Sequence, residues 1–230
     1  MTATPPSAIP DAALRLLVEQ GFDATSVDQL AAAAGISRST FFRRFGTKED
    51  MVFADMESVI SLVEHVLAGG RGSPRDAVVD AAMAVFDHHT SRPEASLLRH
   101  RLLQEVPALR DRELVSTHRY ERTFRRGLDA SDGDGSQADG GTASIAFAAA
   151  VVAVHNAFLR RWLRDQDGAI RGELERELRG LARLFGPRLA GAIPRAAAAP
   201  AGPAVVVTVL DPGARPEDIL AAVREALPRH

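Results

Sequence analysis

The chain contains no cysteine, and this absence removes several kinds of chemistry at once. Disulfide bonds, iron–sulfur clusters and cysteine-ligated zinc sites are all excluded. A strong net charge is also lacking, because 28 lysines and arginines nearly balance 30 acidic residues and leave a formal net charge of -2. A general attraction to nucleic acid is therefore not expected, and any contact with DNA must depend on a local basic patch.

Long apolar runs are missing as well. The longest uninterrupted one, residues 145–154, is much shorter than the ~20 residues that a membrane-spanning helix needs. The first residues lack the basic start and the apolar stretch of a signal peptide. We therefore expect no membrane association and a cytoplasmic location, with the apolar segment forming a buried helix at a subunit interface.

One stretch, TSVDQLAAAAGISRSTFFRRFGTK, has the pattern of two short helices joined by a tight turn. Thr25 is expected to cap the first helix, with Asp28 completing a capping box three residues later. Gly35 suits the left-handed conformation that ends many helices. Ser37 is then expected to cap a second helix over residues 38–44. The pattern predicts a helix-turn-helix.

The second of these helices is basic. Among the first 50 residues four of the five basic side chains fall close together, at Arg38, Arg43, Arg44 and Lys48. No acidic residue interrupts this group between Ser37 and Lys48. A helix-turn-helix that turns such a helix outward is suited to the major groove of DNA, so we expect sequence-specific DNA binding.

The rest of the chain predicts an all-α body followed by a different tail. Helical periodicity and Pro, Ser and Gly at the ends predict helices over 9–20, 48–68, 74–89, 93–105, 108–128, 142–165 and 169–189. Residues 129–141 have the composition of a loop. In the tail, 204–210 predicts a short strand and 216–227 a short helix.

The expected domain organisation follows these segments. Residues 1–47 form a three-helix helix-turn-helix DNA-binding domain. Residues 48–192 form a helical domain for ligand binding and dimerisation. Residues 193–230 form a linker and a strand–helix tail, for which the sequence suggests no function.

Residues 21–51, from Gly-Phe before Thr-Ser-Val to Phe-Gly-Thr-Lys-Glu-Asp, resemble the DNA-binding domain of the TetR family of bacterial transcriptional repressors. The resemblance implies a homodimer that places helix 38–44 of each subunit in the major groove and reads a palindromic double-stranded operator. Phe42 departs from the family, which usually has Tyr there; Phe lacks the hydroxyl that could donate to a phosphate.

This resemblance and the chemistry of the side chains give a set of expected DNA contacts. Arg38 is the first choice for a base contact, because a guanidinium can form two bonds to guanine O6 and N7. Residues at helix N-termini are expected to meet phosphates. Which of Arg43 and Arg44 holds a phosphate is open. The full set is Thr25, Ser26, Arg38, Ser39, Thr40, Phe42, Arg43, Arg44 and Lys48.

Residues 101–124 resemble the ligand-binding domains of actinobacterial family members of the acyl-CoA-like type, including regulators of mycofactocin genes. The resemblance implies an apolar, acyl-CoA-like small-molecule effector that releases the repressor from DNA. Helices 142–165 and 169–189 are expected to pair with their copies as a four-helix bundle. The expected wall of the ligand pocket consists of Phe86, His89, Phe124, Phe147, Phe158 and Trp162.

Other classes of function have less support. The chain has no His-Glu-x-x-His motif, no phosphate-binding loop and no evident nucleophile–base pair, so we expect no catalytic residues, metal or cofactor. His88 and His89 are adjacent, and side chains about 100° apart on a helix share a metal poorly. A constitutive or activating DNA-binding factor without an effector remains the alternative.

Overall fold

The computed structural model describes residues 11–70, 72–129 and 140–185, together with Glu217. Over these ranges the chain is all-α, with ten helices and no strand, which confirms the predicted fold class. The predicted strand and most of the tail lie outside the described residues. The helices are α1 (Asp11–Gln20), α2 (Val27–Ala33), α3 (Arg38–Arg44), α4 (Lys48–Val52), α5 (Met56–Gly69), α6 (Pro74–Thr90), α7 (Pro93–Glu105), α8 (Pro107–Asp129), α9 (Gly140–Asp165) and α10 (Ala169–Leu184).

The described residues form two compact units. The first takes its residues from the ranges Met1–Ser61 and Asp87–His118, and the second from Leu62–Phe86 and Arg119–His230. These units are defined by packing rather than by function. The predicted functional boundary between residues 47 and 48 therefore remains a prediction.

The core of the first unit holds the helix-turn-helix together. Helix α1 packs against α2 and α7, and α2 packs against α3. Leu14, Leu17 and Leu30 are fully buried beside Phe41, whose ring centroid lies 5.2 Å from that of Phe45. Each fully buried large apolar side chain contributes roughly 1.5–3 kcal/mol, so this small core fixes the orientation of α3.

The start of α2 differs from the sequence-based expectation. Ser26, and not Thr25, caps the helix: its Oγ accepts a hydrogen bond from the backbone N–H of Gln29 at 3.2 Å. Gln29 Oε1 in turn accepts from the backbone N–H of Ser26 at 2.8 Å, so Gln29 takes the place predicted for Asp28. Thr25 is 1% exposed, and its hydroxyl donates to the Gly21 carbonyl at 2.7 Å. A buried hydroxyl needs a hydrogen-bond partner, and for Thr25 that partner is the Gly21 carbonyl. Thr25 therefore does not cap α2.

The predicted helix over 48–68 is two helices. Helix α4 ends at Val52, and Phe53 leaves the helical conformation with φ -112° and ψ 20° before α5 begins at Met56. The apolar spacing of Val52, Met56 and Val59 continues through the break, so hydrophobic periodicity alone does not detect it. Asp55 lies within this junction and is buried.

The second unit contains the apolar segment noted in the sequence. Helix α9 packs against α10, whose buried face consists of Ile170, Leu174, Leu178 and Leu181. Gly141–Asp165 is long and apolar enough to cross a membrane by length and composition, but 61% of its most apolar window is buried inside the protein. A buried core helix passes the same test, and this burial is that of a core helix. The predicted place of this helix at a subunit interface remains a prediction.

Candidate DNA-binding surface

The turn between α2 and α3 is built from local signals in the sequence. Gly35 has a φ of +67°, a conformation that residues with a Cβ rarely adopt. The backbone N–H of Ile36 donates to the Ala31 carbonyl at 2.9 Å and closes the end of α2. Ser37 Oγ accepts from the backbone N–H of Thr40 at 3.2 Å and starts α3, as predicted. The two helices are therefore set by residues within the turn itself.

Helix α3 has one buried face and one outer face. Phe41 is fully buried, and Phe45 follows one turn later at the end of the helix. The other side chains of α3 are exposed, except Thr40, which is half-buried. We call this outer set the α3 surface: Arg38, Ser39, Thr40, Phe42, Arg43 and Arg44.

Arg38 contacts two neighbouring side chains, Asp28 and Phe42. Its NH1 donates to both carboxylate oxygens of Asp28, at 2.7 and 2.8 Å. Its guanidinium carbon also lies 5.4 Å from the centroid of the Phe42 ring. Phe42 is 44% exposed, which is unusual for so large an apolar side chain on the outside of a helix. The pairing of Arg38 with Asp28 had no counterpart in the sequence analysis.

The other basic side chains of α3 lie near its C-terminal end. Arg43 NH2 donates to Thr40 Oγ1 at 3.4 Å, and the Arg44 guanidinium carbon lies 5.0 Å from the centroid of the Phe45 ring. Both arginines are exposed. Their charges are therefore accessible to an anion that approaches the outer face of α3.

Two residues expected to meet phosphate have internal roles in this structure. Thr25 is buried, as described above. The ammonium of Lys48 donates to the backbone carbonyls of Phe22 at 2.7 Å and Thr25 at 3.1 Å. It also lies 4.7 Å from the centroid of the Phe22 ring. Lys48 therefore ties the start of α4 to the loop before α2, whereas Ser26 stays exposed at the N-terminus of α2.

The residues predicted to line a ligand pocket are divided between the two units. Phe86, Phe124, Phe147, Phe158 and Trp162 are buried in the second unit. The Phe86 ring lies 6.5 Å from Trp162, and the Phe147 ring lies 5.5 Å from Phe185.

His89 does not join these aromatic side chains. It belongs to the first unit, where its Nδ1 lies 3.1 Å from Arg99 NH2. The sequence around His89 does not distinguish a histidine that faces an aromatic group from one that faces a buried ion pair. The buried ion pair is the environment found here.

His155 is a buried polar residue near Phe86, and it was not among the side chains predicted to line a ligand pocket. Its ring lies 6.1 Å from Phe86, and its Nδ1 lies 3.2 Å from Asn156 Oδ1. Burial lowers its pKa to about 4, with a smaller contribution from the Arg160 charge, while the hydrogen bond with Asn156 acts in the opposite direction. Within the described part of the chain, Nε2 has no hydrogen-bond partner. His155 is therefore uncharged at neutral pH.

A polar cluster in the first unit brings together Asp55, His88, His89 and Arg99. Asp55 Oδ1 accepts from Arg99 NH1 at 2.9 Å, and Oδ2 lies 3.4 Å from His88 Nε2. Burial alone would raise the pKa of Asp55, but the Arg99 charge and the hydrogen bond with His88 outweigh it and hold the pKa well below its usual range. The carboxylate is therefore ionised at neutral pH.

This cluster also has the donor atoms of a metal site. Donor atoms of Asp55, His88 and His89 lie within 4.8 Å of one another, so the sequence argument that adjacent histidines diverge too far was wrong here. However, the Arg99 guanidinium bonds both Asp55 and His89. A cation is thus already in contact with two of the three donors, and the arrangement is that of a buried ion pair.

The outward basic helix on a compact helix-turn-helix defines the chain as a DNA-binding protein of the helix-turn-helix class. Residues 9–54 match the family model described as bacterial regulatory proteins, tetR family. This match confirms the resemblance of residues 21–51 to the DNA-binding domain of the TetR family of transcriptional regulators.

Individual relatives are similar over most of the chain. "Putative mycofactocin biosynthesis transcriptional regulator MftR" of Mycobacterium tuberculosis (strain ATCC 25618 / H37Rv) is 26% identical over 166 residues, which cover 71% of this chain and 82% of that protein. The TetR family repressor FadR of Thermus thermophilus, solved with lauroyl-CoA, is 22% identical and covers 84% of this chain and 98% of that one, with a TM-score of 0.46. The TetR family regulator PfmR of Thermus thermophilus is 22% identical and covers 77% and 96%, with a TM-score of 0.43.

Proposed function

We propose that the chain is a repressor that binds a palindromic operator as a homodimer and is released by an apolar small molecule. The observation that carries the DNA-binding part is the α3 surface. Its three arginines are exposed, while Phe41 on the opposite face is buried and anchors the helix to the core. A rigid helix with basic side chains on its outer face can enter a major groove without rearrangement of the backbone.

The proposed contacts follow from the position and exposure of each side chain. Arg38, Ser39 and Thr40 lie in the first turn of α3, the part of a recognition helix that meets base edges. Phe42 is placed to pack on sugar or a thymine methyl. Arg43, Arg44 and Ser26 are assigned to phosphates, which position the protein without reading sequence. Thr25 is not proposed as a side-chain contact because it is buried.

The second unit is proposed to carry dimerisation and effector binding. Its buried aromatic side chains resemble the walls of small-molecule sites, which are mostly apolar. The acyl-CoA-like class of the effector is proposed from the resemblance of residues 101–124, most of which belong to the first unit, and from the similarity to a mycofactocin regulator. A cytoplasmic location accompanies this function. An activator or constitutive factor without an effector is the alternative reading of the same α3 surface.

The proposal is tested by titrating the purified protein on DNA from upstream of its own gene, with and without a long-chain acyl-CoA. Specific binding that acyl-CoA weakens supports both parts of the proposal. Specific binding that acyl-CoA leaves unchanged contradicts the effector class only. Arg44→Ala should lower affinity for all sequences and reduce the salt slope by about one unit, whereas Arg101→Ala, which removes an exposed arginine of α7, provides the matched charge control.

A further inference from the structure

Asp28 on α2 is an acidic side chain bonded directly to the α3 surface. Both of its carboxylate oxygens accept from NH1 of Arg38, at 2.7 and 2.8 Å. Both side chains are 62% exposed, so the pair lies on the face that is proposed to meet DNA. Surface ion pairs of this kind add little to folding stability. The effect of the Asp28–Arg38 pair on DNA binding is therefore the property of interest.

The geometry leaves one edge of the arginine available. Because both bonds to Asp28 come from NH1, Nε and NH2 carry no hydrogen bond to any residue that the structure describes. The Phe42 ring lies 5.4 Å from the guanidinium carbon and restricts its movement on a second side. A guanine presents two acceptors, O6 and N7, to two parallel N–H groups. The Nε–NH2 edge of Arg38 offers such a pair of donors.

The charge of Asp28 affects contacts of Arg38 with a base and with a phosphate differently. A guanine edge is uncharged, so Arg38 can bond to it while it stays paired with the carboxylate. A phosphate brought to the same guanidinium would place two anions side by side, and like charges repel at this distance. Without Asp28, Arg38 could neutralise any phosphate, a contact that carries no sequence information.

We propose that Asp28 is a specificity-determining residue, which holds Arg38 with its Nε–NH2 edge toward a guanine and opposes its use on phosphate. This inference depends on the proposed DNA-binding function and adds to it a preference for guanine and a residue outside the recognition helix. Asp28 acts through Arg38 and does not itself read a base.

The experiment compares the wild type with Asp28→Asn, Arg38→Ala and the double variant on DNA selected from a random library by the wild type. Asp28→Asn keeps the size of the side chain and removes its charge. It should lower the discrimination between guanine and other bases at one position by about fivefold, and should bind random-sequence DNA more tightly by a similar factor. In the Arg38→Ala background the same change should have no effect on discrimination.

Asp23→Asn provides the matched control. Asp23 is an exposed acid of the same unit, so its variant has the same charge change without the contact to Arg38. It should leave base discrimination unchanged. Discrimination that survives Asp28→Asn, or that falls equally in the Arg38→Ala background, would overturn this inference while leaving the DNA-binding function intact. A wild type that selects no sequence at all would overturn both, and melting curves for each variant would identify a folding defect.

Discussion

At the scale of single residues, His155 makes the stability of the second unit depend on pH. Burial lowers its pKa from 6.5 to about 4. The unfolded chain therefore binds a proton more readily than the folded one between these values, and folding stability must fall as the pH drops from 6.5 toward 4. A difference of this size corresponds to about 3 kcal/mol.

His155→Leu removes both the titrating group and an unpaired buried nitrogen. We expect the variant to be as stable as the wild type at pH 7.5 or more so, and to lose much less stability between pH 6.5 and 4.5. Urea unfolding followed by the fluorescence of Trp162, the single tryptophan of the chain, reports on the same unit. If the variant keeps the full pH dependence of the wild type, His155 is not its source.

The role of Lys48 also differs between the sequence-based expectation and the structure. Its ammonium bonds two backbone carbonyls, so it is expected to act mainly in folding. Hydrogen bonds to charged groups contribute about 1.5–3 kcal/mol. Lys48→Met should therefore lower the melting temperature, while the salt dependence of DNA binding should change less than in Arg44→Ala. A salt slope reduced by a full unit with an unchanged melting temperature would restore Lys48 to the phosphate contacts.

At the scale of elements, most local signals of the sequence were reliable, apart from the cap of α2, where Ser26 and Gln29 take the places predicted for Thr25 and Asp28. Signals of long-range pairing were absent. Gly35 and Ser37 set the turn and the start of α3 as predicted, because the glycine conformation and the cap depend on neighbouring residues. The break between α4 and α5 was missed. The break contains the buried Asp55, whose partner Arg99 is 44 positions away along the chain. A pattern of neighbouring residues cannot predict such a pairing.

The junction between α4 and α5 offers a test of that pairing. Removing one member of a buried ion pair leaves an uncompensated charge, at a typical cost of about 3–5 kcal/mol. Arg99→Leu should therefore strongly destabilise the first unit, and Asp55→Asn in the same chain should recover part of the loss. Thermal unfolding monitored by circular dichroism measures both. Equal stabilities for the single and double variants would show that the Asp55 charge does not depend on Arg99.

At the scale of the whole molecule, the resemblance to the TetR family follows from residues 21–51, and the all-α fold class follows from helical periodicity along the rest of the chain. The contact between subunits follows from neither. The proposed dimer pairs α9 and α10 with their copies. Ile145 on α9 is 39% exposed, which is consistent with an apolar side chain that becomes covered in a dimer. Association would bury it, and a charge at this position would have to be buried with it or prevent association.

Ile145→Arg is therefore expected to shift the protein toward the monomer in analytical ultracentrifugation. Since each monomer holds one recognition helix, the variant should also lose affinity for a palindromic operator while it keeps its affinity for an isolated half-site. Leu114→Arg is the matched control: Leu114 is 68% exposed on α8 in the first unit, so the same kind of change should leave the dimer intact. A dimeric Ile145→Arg protein with normal operator affinity would place the subunit contact on another face of the second unit or outside it.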